Sequence, residues 1–177
     1  MMSSTTLRLI AVLTSAASVL CGCAPAPEPT PTPSAAFATE DEAFAAAEAT
    51  FTEYTAATNG TDLQEPATFE EVYRWLTGEA ATSAKENYTR LHAEGIVRSG
   101  DSTFDRMELR AYSDAQVAVQ LCLDVSDVAL VRPDGTSIVP PDRPPRQPVD
   151  VKLVSAPTDT GLAISSVTAS KTASCDG

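Results

Sequence analysis

The stretch from Ala115 to Val125, AQVAVQLCLDV, decides the fold class of this chain. Large apolar residues occupy every second position from 117 to 125, which predicts a β-strand with one buried face. Cys122 is then predicted to point to the opposite face. A partner strand is predicted over 103–112, joined to the first by a turn at Ser113 and Asp114.

The C-terminal half of the chain is patterned for further strands. They are predicted over 128–131, 137–139, 149–154 and 162–167. A turn at 133–135, in which Gly135 supplies a positive φ, separates the first two of them. A proline-rich connection over 140–148 leads to the last two. The second half of the chain is therefore predicted to be an antiparallel sheet.

The residues before these strands are patterned for three helices. The first helix opens with a capping box at Thr39–Glu42 and ends at Asn59-Gly60, two residues that tolerate a left-handed cap. A second capping box at Thr68–Glu71 opens a short helix that Gly78 interrupts, and a third helix is predicted over 79–94. Helices followed by antiparallel strands predict an α+β domain. About three helices would pack on a curved antiparallel sheet of four to six strands.

The first 22 residues are typical of a lipoprotein signal peptide. Arg8 is their only charge, and the apolar stretch 9–20 is too short to span a bilayer as a helix. Leu20, Gly22 and Cys23 then resemble the bacterial lipobox, which predicts cleavage before Cys23 and attachment of a lipid such as palmitate to it. The alternative is an ordinary secretory signal cleaved after Cys23, or a segment that is not cleaved.

A proline-rich stalk is predicted over 23–38, between the lipidated cysteine and the folded domain. Prolines at 25, 27, 29, 31 and 33 exclude helix and sheet and favour extended polyproline II structure. The chain is thus divided into a signal peptide over 1–22, this stalk, and a single domain over 39–177. The domain is expected on the extracellular side of the cell membrane, attached through the lipid on Cys23.

The other cysteines are predicted to form a disulfide. Cys21 leaves with the signal peptide and Cys23 carries the lipid, so Cys122 and Cys175 remain as a pair in an oxidising compartment. This bridge would hold the C-terminus against the sheet. Two cysteines and one histidine are too few for a structural zinc site, so no metal is predicted.

The charge of the chain argues against nucleic acid as a partner. The formal net charge is −12 with Arg8 as the only charge before Cys23, so the part from Cys23 onward carries 11 basic and 24 acidic residues, a net charge of −13. Such a surface is repelled by nucleic acid and by anionic lipid. The membrane is therefore expected as a partner only through the covalent lipid.

This pattern resembles the cystatin-like cone of the nuclear transport factor 2-like superfamily. More narrowly, it resembles small actinobacterial cell-envelope lipoproteins with a proline-rich stalk. The matching features are Cys23, the stretch 42–59 (EAFAAAEATFTEYTAATN), and the stretch 121–125 (LCLDV) followed by Cys175. Many superfamily members place strands between the second and third helices, and none is predicted here. The resemblance implies a conical cavity, which this superfamily uses for catalysis, ligand binding or protein contact.

The resemblance also implies polar residues in that cavity, for which the candidates are Tyr54, Tyr88, His92, Asp105 and Glu108. Tyr88 and His92 are four positions apart on the third predicted helix, so they share a face, and a nearby carboxylate would allow acid–base chemistry. The competing interpretation packs Tyr88 in the core and leaves His92 in solvent or near the helix C-terminal dipole. A lone histidine is a weak site signal, so no catalytic residue is assigned.

Two functions remain open from the sequence. The first is a non-catalytic binding or accessory module of the cell envelope, whose partner is an envelope protein or an apolar ligand. The second is a small enzyme without a cofactor that uses a Tyr/His/carboxylate cavity. The chain contains no Gly-x-Ser-x-Gly, Walker or dinucleotide-binding motif, which favours the first. The two hypotheses differ in whether Tyr88, His92 and a carboxylate converge in one enclosed pocket.

Overall fold

The computed structural model describes residues 37–175, in which three helices precede six strands. The predicted signal peptide, Cys23 and nearly all of the stalk lie outside the described residues. The helices are α1 (Glu40–Asn59), α2 (Phe69–Tyr73) and α3 (Gly78–Ala93). The strands are β1 (Val97–Ser99), β2 (Thr103–Tyr112), β3 (Gln116–Asp124), β4 (Ala129–Val131), β5 (Arg146–Ser155) and β6 (Leu162–Ala169). The predicted α+β class is confirmed, with no strand between α2 and α3.

The four long strands form one antiparallel sheet in the order β2-β3-β5-β6. The pairing of β2 with β3 shifts register between Asp105 and Glu108 and again between Leu109 and Ala111. A third shift interrupts the pairing of β5 with β6 after Lys152. Bulges of this kind bend a strand and increase its twist. They account for the predicted curvature, which wraps the sheet around the helices.

The short strand predicted over 128–131 is present as β4, but two other short segments differ from the sequence prediction. Val97–Ser99 (β1) was missed because three residues carry too little pattern, and it pairs with β4 in a separate two-stranded sheet. The strand predicted over 137–139 is wrong, since Ser137 makes only an isolated bridge to Val131. A tight turn over 132–136 brings this segment back to β4 without enough length for a ladder.

Strand β5 begins earlier than predicted, inside the proline-rich connection. It starts at Arg146 and includes Pro148, which pairs with Cys122 of β3. In an antiparallel strand the N and O atoms of one residue point to the same side. The oxygen of Pro148 accepts a hydrogen bond from the Ser170 N–H at 2.8 Å, just beyond the end of β6. The N atom of Pro148 therefore faces the side of β6 and not β3. Its missing N–H removes no hydrogen bond from the ladder between β3 and β5.

The main core lies between α1 and the concave face of the sheet. Val117, Val119 and Leu121 of β3 are at most 1% exposed, which confirms the alternation in that strand. The helices, the other strands and the connection between α2 and α3 add Ala43, Ala47, Phe51, Val72, Leu76, Val149, Val151, Leu153, Leu162 and Ile164. Each fully buried large apolar side chain contributes about 1.5–3 kcal/mol. This cluster therefore provides most of the driving force for packing helices on the sheet.

Helix α1 is capped at its N-terminus as predicted. The Thr39 hydroxyl accepts a hydrogen bond from the Glu42 N–H at 3.2 Å, and the Glu42 carboxylate accepts one from the Ala38 N–H at 2.9 Å. At the other end the helix stops at Asn59, but the predicted left-handed cap is wrong. Gly60 has φ −78° and its N–H still donates to the carbonyl of Ala56.

The Asn59 side chain ties the end of α1 to the connection between β1 and β2. Its Oδ1 atom accepts hydrogen bonds from the Ser102 N–H, the Ser102 hydroxyl and Arg98, each at 3.0 Å. Its Nδ2 atom donates to the Ser102 carbonyl at 2.8 Å. Gly60 keeps a right-handed backbone conformation, so the end of the helix is marked by the hydrogen bonds of the Asn59 side chain.

Two predictions around α2 are also corrected. The Thr68 hydroxyl makes no cap for α2; it donates to the Glu65 carbonyl at 2.7 Å, because Pro66–Thr68 form a 3₁₀ turn ahead of the helix. Gly78 does not interrupt a helix but begins α3, with φ +53°. Among residues 37–175, no helix combines the length and apolar character that crossing a membrane requires.

The predicted disulfide between Cys122 and Cys175 is present, and both cysteines are 5% exposed. It holds residues 170–175 against the outer, convex face of the sheet. Gln120, on the same face and 8% exposed, donates to Asp150 at 2.7 Å and to Ser170 at 2.8 Å. The tail thus covers a patch of the outer face through one covalent bond and a small polar network.

Replacing Cys175 with Ala should lower the free energy of unfolding by about 4 kcal/mol, because the bridge closes a loop of 53 positions in the unfolded chain. Urea unfolding of the two proteins without reductant measures this. Lys171→Ala, at an exposed tail residue, is the control and should have little effect. Wild type in reductant should match the Cys175→Ala variant, and an unchanged midpoint would show that the bridge does not stabilise the fold.

Candidate functional site

The interior of the cone is filled by side chains. Phe51 of α1, Leu121 of β3 and Ile164 of β6 are each at most 1% exposed and lie in one cluster with Leu153. The Phe51 ring meets Phe104 of β2 edge-on, with centroids 5.0 Å apart. The space between α1 and the concave face is therefore occupied by core side chains rather than by a chamber. Concave surfaces that a ligand could reach lie elsewhere.

One such surface lies between α3 and β6 and is here called the tyrosine groove. It has a volume of about 350 Å³. Tyr54 of α1 and Tyr88 of α3 contribute aromatic surface to it, and Val167 of β6, 37% exposed, forms part of its apolar rim. The full lining is Tyr54, Leu76, Glu79, Ala80, Ser83, Ala84, Asn87, Tyr88, Ser166, Val167 and Thr168.

Both tyrosines of this groove are neutral hydrogen-bonding groups at ordinary pH. Burial raises the pKa of Tyr54 to about 12, and the neighbouring Tyr88 adds to this rise. Burial also raises the pKa of Tyr88, and hydrogen bonds with Thr61 and Thr58 offset part of this rise. A phenol with a raised pKa holds its proton and is a poor base near neutral pH. The pair is suited to contact with a ligand rather than to removing a proton from it.

His92 does not line the tyrosine groove. Its side chain is exposed, and its Nδ1 atom lies 2.8 Å from the carbonyl of Leu63, which can only accept, so Nδ1 is assigned the proton. Phe69 contacts both rings, stacked on Tyr88 at 5.0 Å and edge-on to His92 at 6.4 Å. Tyr88 and His92 share a helix face as predicted, and Phe69 lies against that face. The Tyr88 ring contributes to the tyrosine groove, whereas the His92 ring bonds to the Leu63 carbonyl outside it.

Asp105 and Glu108 lie on β2, and both are engaged by arginines. Asp105 accepts from Arg146 at 2.6 Å, and Glu108 accepts from Arg110 at 3.1 Å. Asp105 and Glu108 pair in the sheet with Cys122 and Gln120, whose side chains point to the convex face. The two carboxylates therefore lie on the side of the sheet away from the helices.

Of the five predicted cavity residues, the structure brings together only Tyr54 and Tyr88. The Tyr/His/carboxylate arrangement required for the enzyme hypothesis is not assembled at the tyrosine groove; Glu79 is the carboxylate that lines it. Sequence reasoning missed Ser83 and Asn87, each of which lies three positions after a partly buried alanine of α3, Ala80 and Ala84. Within residues 37–175, no group of three or more His, Cys, Asp or Glu side chains is arranged to hold a metal ion.

The comparisons with known proteins concern the fold. No family model matches the sequence, and no curated protein matches it. The solved structure of the intermembrane space region of the chloroplast protein ARC6 is similar, with 16% identity, a TM-score of 0.50, and coverage of 72% of this chain and 97% of that one. A proposed aromatic ring hydroxylase from Novosphingobium aromaticivorans has 10% identity and a TM-score of 0.51, covering 75% and 96%.

These neighbours have nuclear transport factor 2-like cone folds, so the expected fold is confirmed. At 10–16% identity the likeness concerns the path of the chain and not the chemistry of a site.

Alkaline unfolding tests the burial of Tyr54. An unfolded chain loses its tyrosine protons near pH 10, whereas folded Tyr54 holds its proton to a pKa of about 12, so the free energy of unfolding should fall as pH rises between these values. Tyr54→Phe should remove roughly 2–3 kcal/mol of this fall. Urea midpoints from pH 8 to 12 measure it, with Tyr112→Phe, at a tyrosine 43% exposed, as the control. An identical pH dependence in wild type and Tyr54→Phe would contradict the assignment.

Proposed function

We propose that this chain is a lipid-anchored protein of the cell envelope whose folded domain is a non-catalytic binding module on the extracellular side of the membrane. The single observation that carries the binding role is the filled cone. Phe51 and Leu121 occupy the space in which related folds could hold a chamber. What remains open to a ligand is a set of surface grooves, which suits binding better than chemistry that must exclude water.

The separation of the polar candidates supports the same conclusion. His92 bonds to a backbone carbonyl, and Asp105 and Glu108 are engaged by arginines on the far side of the sheet. The tyrosines that do face a groove have raised pKa values because they are buried. An enzyme that uses a tyrosine, a histidine and a carboxylate would need them within hydrogen-bonding reach of one substrate. The arrangement therefore gives little support to the enzyme alternative.

Export and anchoring are proposed from the leader and the disulfide together. The lipobox-like sequence ending at Cys23 provides an attachment point, and the stalk over 23–38 would hold the domain away from the bilayer. The Cys122–Cys175 bridge fits an oxidising compartment outside the cytoplasm. With a net charge of −13 from Cys23 onward, the domain has no electrostatic attraction to anionic lipid, so the covalent lipid would carry the anchoring.

The tyrosine groove is the proposed site for a small ligand. Its walls combine apolar side chains such as Leu76 and Val167 with the hydroxyl and amide groups of Ser83 and Asn87. Its volume of about 350 Å³ is at the lower end of the range for small-molecule sites. These walls suit a neutral, partly apolar molecule that stacks on Tyr88 and hydrogen-bonds at the rim.

Lipidation is tested by metabolic labelling with a clickable palmitate analogue in a bacterial host that lipidates exported proteins. Wild type should carry the label and partition into the detergent phase of a Triton X-114 extract. Cys23→Ser should lose the label, whereas Cys21→Ser, the matched control two positions away, should keep it. Label retained on Cys23→Ser would overturn the anchor.

Ligand binding is tested by native mass spectrometry of the full chain released from neutral detergent. We expect an added small-molecule mass on wild type that dissociates on collisional activation. Ser83→Trp, which fills the groove from an exposed position, should lose that mass. Thr89→Trp, an exposed α3 position outside the groove lining, should retain it. An added mass that survives Ser83→Trp, or none on wild type, would count against the groove as a ligand site.

A further inference from the structure

A second and larger groove runs along the outside of α1. It has a volume of about 810 Å³ and is bounded by α1, by α2 with the residues that follow it, and by the loop between β5 and β6. It shares no residue with the tyrosine groove and lies on the side of α1 opposite the core. We call it the α1–α2 groove; its α1 side begins at Ala45 and ends at Gly60, and it includes Glu48, Ala49, Glu53 and Ala56.

The shape of this groove suits an extended chain. Its α1 side runs from Ala45 to Gly60, which is roughly 22 Å of helix. That length matches about seven residues of extended peptide. Ala45, Ala49 and Ala56 place short side chains along it, and the buried Trp75, 5% exposed, lies beneath the opposite wall. A small compact ligand would fill only part of this length.

The charges along the groove are unequal on its two sides. On the α2 side, Arg74 is held by Glu71 at 3.3 Å and by Asp159 at 3.7 Å, and its guanidinium lies 5.4 Å from the centre of the Trp75 ring. On the α1 side, Glu48 and Glu53 are exposed. Within residues 37–175 neither of them forms an ion pair. The one cation of the groove is thus engaged, while two carboxylates face the open channel.

These features select the occupant. The groove is lined by four carboxylates and one arginine, so it favours a cationic ligand and repels anionic polymers and lipid headgroups. A second copy of this chain is disfavoured, because the part from Cys23 onward has a net charge of −13. Arg74, Arg90, Arg110, Arg132 and Arg146 are moreover already engaged in ion pairs.

We propose that the α1–α2 groove binds an extended, lysine- or arginine-bearing segment of another protein. Glu48 and Glu53 would pair with its basic side chains, and the short side chains of α1 would let its backbone approach the helix. That the partner belongs to the cell envelope rests on the proposed function. The binding of a basic segment does not, because it follows from the groove alone.

The test measures fluorescence anisotropy of a labelled peptide, Ala-Lys-Ala-Lys-Ala-Lys-Ala, with the full chain in neutral detergent. We expect saturable binding that weakens as salt is raised, and no binding of the peptide in which Gln replaces each Lys. Glu48→Gln combined with Glu53→Gln should weaken binding about tenfold, the scale of two exposed ion pairs. Because Gln and Glu have similar helix propensities, this variant should remain folded.

The matched control is Glu86→Gln combined with Asp114→Asn, which removes the same charge at exposed positions outside both grooves. It should weaken binding less than twofold. Equal weakening by the two pairs would mean that the peptide responds only to overall charge, and absence of binding to wild type would also overturn the proposal. Spermine that displaces the peptide at equal charge concentration would show a polyamine site instead of a peptide site.

Two further variants separate this proposal from the small-ligand site. Ala49→Trp, on the α1 side of the α1–α2 groove, should abolish peptide binding, and peptide affinity retained in it would contradict the location. Ser83→Trp in the tyrosine groove should bind the peptide as wild type does. Loss of the native ligand in Ser83→Trp with normal peptide binding would therefore support both sites. Loss of the native ligand in Ser83→Trp, together with no peptide binding to wild type, would leave only the small-ligand site.

Discussion

The packing of Phe51 against the concave face of the sheet is the contact on which the rest of the structure depends. This one side chain of α1 meets Phe104 of β2 edge-on and shares a cluster with residues of β3, β5 and β6. Truncating a buried phenylalanine typically costs about 3–5 kcal/mol, a large part of the stability of a small domain. The same packing fills the cone. Binding surfaces consequently lie at the margins of this core: the tyrosine groove between α3 and β6, and the α1–α2 groove on the outside of α1.

The convex face of the sheet is organised differently, by polar and covalent contacts. Arg146 joins Asp105 and Asp124, while Gln120 and the Cys122–Cys175 bridge hold the C-terminal tail. Asp105, Glu108 and Asp124 on this face pair with arginines and lie on the side of the sheet away from the helices. The domain therefore has three kinds of surface. Apolar side chains pack inside the cone, polar contacts and the disulfide hold the tail on the convex face, and open grooves lie beside α1 and α3. A binding protein with a rigid interior can present such grooves without the cost of ordering them.

The candidate site could be predicted only in part. Tyr54 and Tyr88 were named for their side-chain chemistry under the family resemblance, as were His92, Asp105 and Glu108, and only the two tyrosines share a groove. The groove they share also needs Ser166 and Val167 from β6, some 80 residues further along the chain than α3. The sequence pattern of α3 does not indicate which strand will pack beside this helix. The position of Phe69 against both Tyr88 and His92, and of Arg146 against Asp105, depends equally on elements that are distant in sequence.

The sequence by itself determined the class of fold, the number of helices, the alternation of β3 and the pairing of the two cysteines in the domain. These follow from periodicity, capping and composition, which act over a few residues or need only a count. The tertiary structure alone decided that the cone is filled, that His92 and the carboxylates of β2 are kept apart, and that grooves open on either side of α1. The physical reason is that such features depend on which distant surfaces meet and on whether large side chains leave space between them.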